Sequence, residues 1–210
     1  YDAAGNKTSM TYPDNTTNTY IYDELSRMIR IPGYFERANG QSGFAYDPVG
    51  NMTDMWSING IHTQFTYNTR NMATGISSTP LSLSYTYSGN GNIVKITDTT
   101  GATPVELNYT YDAKGQLKTA QVNKSTGVET VSYSYDGTSN RISETWKNNQ
   151  NQILSQYTYT YQPGDYLVSK TDSSSVVNYT WDIYGQLSSK SSGENYIFTG
   201  KRNLNTVTES

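Results

Sequence analysis

The side chains best suited to hydrolytic, acid–base or metal chemistry in this 210-residue chain are 18 Asp and Glu residues and a single His, because there is no Cys. A glycosidase needs only two carboxylates at a fixed separation, so the acidic residues are the first to weigh. Asp2, Asp23, Asp47, Asp112, Asp136 and Asp182 all stand in the same place, directly after an aromatic residue. A residue that recurs in register answers a structural demand, whereas a catalytic pair breaks a repeat. His62 lies in Asn59-Gly60-Ile61-His62, beside a tight-turn signal, and reads as a surface turn residue; a triad or a zinc site needs partners of fixed geometry. Calcium takes about six to eight oxygen ligands, more than an isolated turn Asp supplies. Gly-x-Ser-x-Gly, P-loop, His-Glu-x-x-His and EF-hand patterns are all missing. The expectation is a chain with no catalytic, cofactor-binding or metal site, whose aspartates serve turns.

Those turns belong to a repeat. Aromatic anchors begin nine units at Tyr1, Tyr22, Tyr46, Tyr67, Tyr87, Tyr111, Tyr135, Tyr161 and Trp181, with spacings of 20 to 26 residues. In the clearest copies the anchor opens a Tyr-Asp-x-x-Gly-Asn or Tyr-Asp-x-x-Gly-Gln run, as in Tyr46-Asp47-Pro48-Val49-Gly50-Asn51 and Tyr111-Asp112-Ala113-Lys114-Gly115-Gln116. Asp at the first position of a type I turn accepts from a backbone N–H two residues on, and Gly supplies the positive φ that closes the turn as a bulge. Gly5, Gly50, Gly91, Gly115 and Gly185 are the positive-φ candidates. An apolar residue then opens each return strand: Met28, Met52, Met72, Ile93, Leu117, Ile142, Leu167 and Leu187.

Two residues before every anchor after the first stands another ring: Tyr20, Phe44, Phe65, Tyr85, Tyr109, Tyr133, Tyr159 and Tyr179. Side chains two apart on a strand share a face, so these rings and the anchors from Tyr22 to Trp181 form an aromatic ladder on one side of a half-buried sheet, with rings expected to stack across strands. Other turn signals, such as Asn39-Gly40, Asn59-Gly60 and Ser192-Gly193, mark the opposite hairpin ends.

Composition agrees with this reading. Tyr (20), Thr (29), Ser (24) and Asn (20) displace the aliphatics, and Leu, Ile, Val and Phe together number only 35, a bias toward strands and turns. No apolar run exceeds three residues, which excludes a transmembrane helix and a signal-peptide core. A net charge of −3, a pI near 5.1 and no basic cluster argue against nucleic acid. The chain opens at Tyr1 rather than Met, the expectation for a processed product or an internal piece of something longer. Nine hairpins make about 18 strands, roughly 85 Å across at ~4.8 Å each, and such a strip must curl or pack, since open sheets rarely exceed ~10 strands.

The recurring Tyr-Asp with its Gly-Asn or Gly-Gln resembles the YD repeats of the Rhs family, bacterial toxin-complex proteins and teneurins, over essentially the whole chain. That resemblance implies an all-β fold, a repetitive antiparallel β-hairpin ribbon of about nine units curling into a spiral or shell-like arc, and an extracellular or cell-surface location. Residues 196–202, Tyr-Ile-Phe-Thr-Gly-Lys-Arg, resemble the lead-in to an Rhs-associated core, but the next residues depart from that pattern. The expected organisation is therefore a ribbon over 1–195 and a degenerate remnant over 196–210, without the family's self-cleaving aspartates or toxin. The expected role is non-catalytic: part of a β-shell or a self-assembling surface fibre, without cofactors. Its expected partners are further YD repeats and copies joined through unpaired strand edges. The rival reading is a cell-wall or carbohydrate-binding aromatic module, with glycan as partner.

Overall fold

The computed structural model describes residues 1–191 and the strands Glu194–Phe198 and Leu204–Glu209. Among the described residues it is all-β, with 22 strands and one 3-10 turn at Ala38–Gly40. The chain falls into two compact units, Tyr1–Val105 and Glu106–Ser210. The first opens with three two-stranded ladders: β1 (Ser9–Thr11) with β2 (Thr17–Thr19), β3 (Ile21–Tyr22) with β4 (Met28–Arg30), and β5 (Glu36–Arg37) with β6 (Gln41–Ser42). A six-strand antiparallel meander follows, made of β7 (Phe44–Tyr46), β8 (Met52–Trp56), β9 (His62–Tyr67), β10 (Ala73–Ser77), β11 (Ser82–Tyr87) and β12 (Ile93–Asp98).

The second unit is a longer meander of the same kind. It runs through β13 (Val105–Tyr111), β14 (Leu117–Lys124), β15 (Gly127–Tyr135), β16 (Arg141–Lys147) and β17 (Ile153–Gln162). It continues through β18 (Tyr166–Thr171), β19 (Val176–Trp181), β20 (Leu187–Lys190), β21 (Glu194–Phe198) and β22 (Leu204–Glu209). The excess over 18 strands has local causes: the strand leading into Tyr22 is broken at Tyr20, β5–β6 is an inserted hairpin, and β22 adds a strand after β21. The insert packs tightly, because a Cβ at Gly43 would collide with the Phe35 carbonyl. Residues 199–203, which include the end of the Phe-Thr-Gly-Lys-Arg stretch, lie outside the described residues.

Eight of the nine anchors are followed by the same turn, and the turn after Tyr161 differs in having Gly164 as well as Asp165 at positive φ. The residue four places on has positive φ in all nine units: Gly5, Gly50, Gly91, Gly115 and Gly185, and also Ser26, Asn71, Ser139 and Asp165. In all units but that of Tyr161, the N–H of this residue donates to the carbonyl of the residue after the anchor, as in Gly50 to Asp47 at 3.1 Å and Asn71 to Asn68 at 3.0 Å. In the same eight units the side chain after the anchor caps the turn. Asp47 Oδ1 accepts from the N–H groups of Val49 (3.0 Å) and Asn51 (2.8 Å), and Asp112 Oδ1 from Lys114 and Gln116 (both 2.9 Å). Asn68 substitutes for Asp without loss of either contact, at 2.9 and 3.1 Å.

Past the turn, eight return strands carry one extra residue opposite the anchor, a β-bulge, as at Thr53 where Ala45 pairs with Asp54 but Tyr46 with Met52. The anchor's partner is always the sixth residue after it: Met28, Met52, Ala73, Ile93, Leu117, Arg141, Leu167 and Leu187. Two of these differ from the apolar expectation, since Ala73 and Arg141 hold the place assigned to Met72 and Ile142. Backbone geometry sets the position, and the side chain there is free to vary.

The strands are half-buried, as their alternation implies. In β17 the pattern has Tyr157, Tyr159 and Tyr161 inward and Thr158 and Thr160 exposed. Among the described residues only Phe44, Val131 and Tyr159 are apolar and less than a tenth exposed. The ladder rings do not stack on one another as expected. Ring contacts among the described residues are Phe35–Phe44, Trp56–His62 and Tyr166–Trp181, because a return strand separates successive ladder strands by about 9.6 Å.

Gly50 has open space where a Cβ would stand, so substitution there tests backbone conformation alone. Gly50→Ala is expected to lower unfolding free energy by about 1–2 kcal/mol. Gly50→Asn should cost far less, since Asn71 already holds the equivalent place at φ 58°. Urea denaturation of the two variants checks this.

Candidate functional site

The turn and bulge together leave one carbonyl, that of the sixth residue, facing the next hairpin, and the next anchor bonds it. Tyr22 Oη donates to Lys7 O (3.0 Å), Tyr46 to Met28 O (2.6 Å), Tyr67 to Met52 O (2.8 Å) and Tyr87 to Ala73 O (2.6 Å). In the second unit Tyr135 donates to Leu117 O (2.9 Å), Tyr161 to Arg141 O (3.0 Å) and Trp181 Nε1 to Leu167 O (2.8 Å). Each bond staples a hairpin to the one before it. The ring covers apolar surface while its polar end finds a backbone acceptor.

A second seam links the turns. The residue after the positive-φ position reaches forward: Asn6 Nδ2 to Ser26 Oγ (3.1 Å), Asn51 Nδ2 to Asn71 Oδ1 (3.0 Å) and Asn140 Nδ2 to Asp165 Oδ1 (2.7 Å). The same three amides also hold Asp2, Asp47 and Asp136 of their own turns. Where no Asn is available a cation bridges instead, as Arg70 does to the carbonyls of Ser88 and Gly89 and Lys114 to Gly137. On the face away from the rings, hydroxyls pair across several hairpins, including Thr66 with Thr74, Thr110 with Thr119 and Thr160 with Ser169.

The turn aspartates and ladder rings thus sit in a repeating frame and are not gathered into one cleft. Tyr20, Phe44, Phe65, Tyr85, Tyr109, Tyr133, Tyr159 and Tyr179 lie two residues inward of the staples. Asp23 is closed by Arg27, which also lies over the Tyr46 ring at 4.8 Å. Asp182 accepts from Tyr184 and Gln186 as the other turn residues do. Among the described residues no cluster of three metal-ligating side chains occurs.

Two denser groupings escaped sequence reading. Glu144, opposite Tyr133 across the β15–β16 pair, accepts from Trp146 Nε1 (2.6 Å), Tyr159 Oη (3.2 Å) and Arg141 Nη1 (3.1 Å). Both its oxygens are occupied, and burial with the nearby Glu144 pushes the Tyr159 phenol up to about 12 despite Arg141. A phenol so raised stays protonated and is no nucleophile; the cluster joins β16 to β17. The other grouping corrects the turn reading of His62. That residue opens β9, stacks on Trp56 at 4.4 Å and bonds Asp54 Oδ1 through Nε2 at 2.8 Å. Arg37 covers Trp56 from 4.5 Å. Cross-strand pairing of Trp56 with His62 makes the stack, and no linear motif signals it.

The carboxyls reflect their bonds. The Asn6 amide holds Asp2 below its ordinary value, and the Arg27 N–H does the same for Asp23. For Asp47 and Asp136 desolvation pushes upward, but the bonds from Asn51 and from Asn140 and Thr138 outweigh it. The N–H of Ser174, with the Ser174 and Ser175 hydroxyls, holds Asp172 at about 2. Burial raises Tyr46, Tyr67, Tyr135 and Tyr161 as well as Tyr159.

A depressed carboxyl stabilises the fold above its unfolded value near ~3.9, and that contribution is lost as pH falls toward about 2. A raised phenol contributes below ~10, and that contribution is lost as pH rises toward about 12. Thermal unfolding is therefore expected to show a plateau between these limits, with the part of the tyrosinate absorbance that comes from the covered rings appearing late and together with unfolding. Within the plateau, Tyr67→Phe should cost about 1 kcal/mol for its lost bond. Tyr85→Phe, whose hydroxyl bonds nothing among the described residues, should stay within about 0.5 kcal/mol.

No curated protein matches the chain in sequence. Among solved structures it resembles a chain of the TcdB2-TccC3-Cdc42 complex, with TM-score 0.76 and 18% identity over 99% of this chain and 12% of that one. It also resembles a chain of the Photorhabdus luminescens Tc holotoxin pore, with TM-score 0.66 and 17% identity over 97% of this chain and 13% of that one. The chain thus spans about an eighth of the length of either, and the likeness is one of fold. The family model described as teneurin YD-shell matches residues 1–189. With that match covering nearly all of the stapled repeat, the chain belongs to the teneurin YD-shell family.

Proposed function

We propose that this chain is wall material: a non-catalytic ribbon segment that forms part of a β-shell, held in register by its own repeats. The observation that carries the reading is the recurrence of one bond, from each anchor to the sixth residue of the preceding unit, seven times across the two units. A catalyst concentrates unusual groups at one place, whereas here the aspartates are spent on identical turns. The likeness in fold to toxin-complex chains over almost the whole length supports the same role.

The natural partners of such a segment are further YD repeats, in a longer parent chain or in neighbouring copies, because the outermost strands leave ladder groups unpaired. An extracellular or cell-surface setting accords with the family, and no helix among the described residues is long and apolar enough to cross a membrane. Residues 1–195 would serve as the ribbon and 196–210 as a degenerate remnant resembling the entry to an Rhs-associated core.

Limited proteolysis combined with light scattering tests the role. The expected outcome is cleavage confined to turns and concentration-dependent oligomers or fibres, visible by electron microscopy. Cleavage throughout the strands, or a monodisperse monomer at high concentration, overturns the reading.

A further inference from the structure

The open grooves among the described hairpin ends differ in chemistry. One, of about 450 Å³, runs between successive anchor turns and carries charges of both signs, Asp112 and Asp136 with Lys114 and Lys118. Another, in the first unit between the 59–61 turn and the 78–81 turn, is lined without an acidic residue, Lys or Arg. A third lies in the second unit, over β14, β15 and β16 beside the 148–151 turn, and measures about 430 Å³. Its lining holds one cation, Lys147, and no carboxylate; the rest is amides, hydroxyls and Val128. That volume falls within the range of small-molecule sites, roughly 300–1,000 Å³.

We propose that this third groove binds a phosphate or sulfate group, as the free ion or at the end of a small ester. The inference goes beyond the wall role and does not depend on it. Among the described lysines that are half-buried, Lys147 alone makes no ion pair, hydrogen bond or ring contact. Lys170, by contrast, lies over the Tyr157 ring at 4.1 Å. Half-covering an ammonium without supplying a carboxylate removes hydration that nothing in the chain replaces. The carboxylates of β15 and β16 are engaged elsewhere: Glu129 pairs with Lys124 at 3.3 Å, and Glu144 takes Arg141, Trp146 and Tyr159. β14 carries none.

Strand register assembles the donors. Gln121 stands opposite Thr130, and Thr130 opposite Lys147. An amide, a hydroxyl and an ammonium thus form one row on one face of three strands, about 4.8 Å from strand to strand. Ser132 lies two residues along from Thr130 on the same face. The side chains of Gln121, Thr130 and Ser132 make no hydrogen bond among the described residues. The turn adds a further donor. Asn148 is committed at both ends, its Oδ1 accepting from the Gln150 and Gln152 N–H groups at 3.0 Å and its Nδ2 donating to Gln152 Oε1 at 2.8 Å. That leaves Asn149, whose Nδ2 reaches back to the start of β15, 3.6 Å from the place of a Cβ on Gly127. Donors gathered from a sheet row and from the turn beside it suit an oxyanion with three or four oxygens. A planar carboxylate is better matched by the paired N–H groups of Arg. Val128 in the lining offers apolar contact to the carbon part of an ester.

The probes are inorganic phosphate, inorganic sulfate and phenyl phosphate, with acetate as the carboxylate control. Each is titrated into the purified chain at constant ionic strength and followed by the side-chain amide NMR signals of Gln121 and Asn149. The expected result is saturable shifts of both signals with phosphate and sulfate, and binding of acetate about tenfold weaker. Phenyl phosphate binding more tightly than inorganic phosphate supports the site with an ester as occupant; equal or weaker binding supports it with the free ion. Lys147→Gln should weaken phosphate binding about tenfold and Gln121→Ala about threefold, while Lys147→Arg should retain it. Because Lys147 holds no other group in the fold, Lys147→Gln should keep the wild-type thermal midpoint, which separates loss of binding from loss of structure. Lys118→Ala, on an exposed lysine of the mixed-charge groove, should change nothing. Shifts that do not saturate, acetate binding as tightly as phosphate, full binding by Lys147→Gln, or an equal loss in Lys118→Ala overturns the proposal. None of these outcomes bears on the proteolysis and assembly tests of the wall role.

Discussion

The fold depends on a hydrogen bond that crosses from one hairpin to the next. A single sheet of this kind has few fully buried side chains, so burial alone specifies little about how one hairpin meets another. The anchor hydroxyl supplies that specification. It needs a donor on a rigid ring, and Tyr fills eight of the nine anchor positions with Trp181 at the last. Two residues inward, where no staple forms, Phe44 and Phe65 are accepted. The acceptor is equally defined: the bulge opposite each anchor places the carbonyl of the sixth residue where a ring can reach it. At about 1 kcal/mol net for each such bond, the set is comparable to the whole stability margin of a typical domain.

Turn chemistry serves the same end. Each Asp that follows an anchor satisfies two backbone donors, and the Asn two places beyond the first capped N–H of its turn, as at Asn51, ties that Asp to the following turn. The dipeptide that gives the repeat its signature is thus half seam and half cap. Because staples and relays join only neighbours, stability has the nearest-neighbour form of other repeat proteins. A unit with a weaker turn can then be tolerated. The Ser88 turn, capped by a hydroxyl rather than a carboxylate, is held as well by Arg70 from the preceding one.

Local departures from the repeat are where other properties enter. Glu144 and Arg141 place charge on the ring face of the second unit, and both are absorbed by Tyr159, Trp146 and each other. Trp56, His62 and Asp54 do something different on the opposite face of the first unit: they fix a ring beside a groove of neutral polar groups.

Much was legible in the linear chain because it concerns neighbours in sequence. Alternation of rings with Thr reveals half-buried strands, and Asp-x-x-Gly reveals the turns at Asp47 and Asp112. Positive φ at Ser26, Asn71, Ser139 and Asp165 was not marked by residue type; only their shared offset from the anchor gives it away. Tertiary structure alone decided which carbonyl each hydroxyl meets, why Ala73 and Arg141 rather than Met72 and Ile142 face the anchors, and that the rings stand apart instead of stacking. It also brought His62 onto Trp56. These are consequences of register and strand spacing, which arise only when separate hairpins pair, and no local preference encodes a distance between strands that are twenty residues apart in the chain.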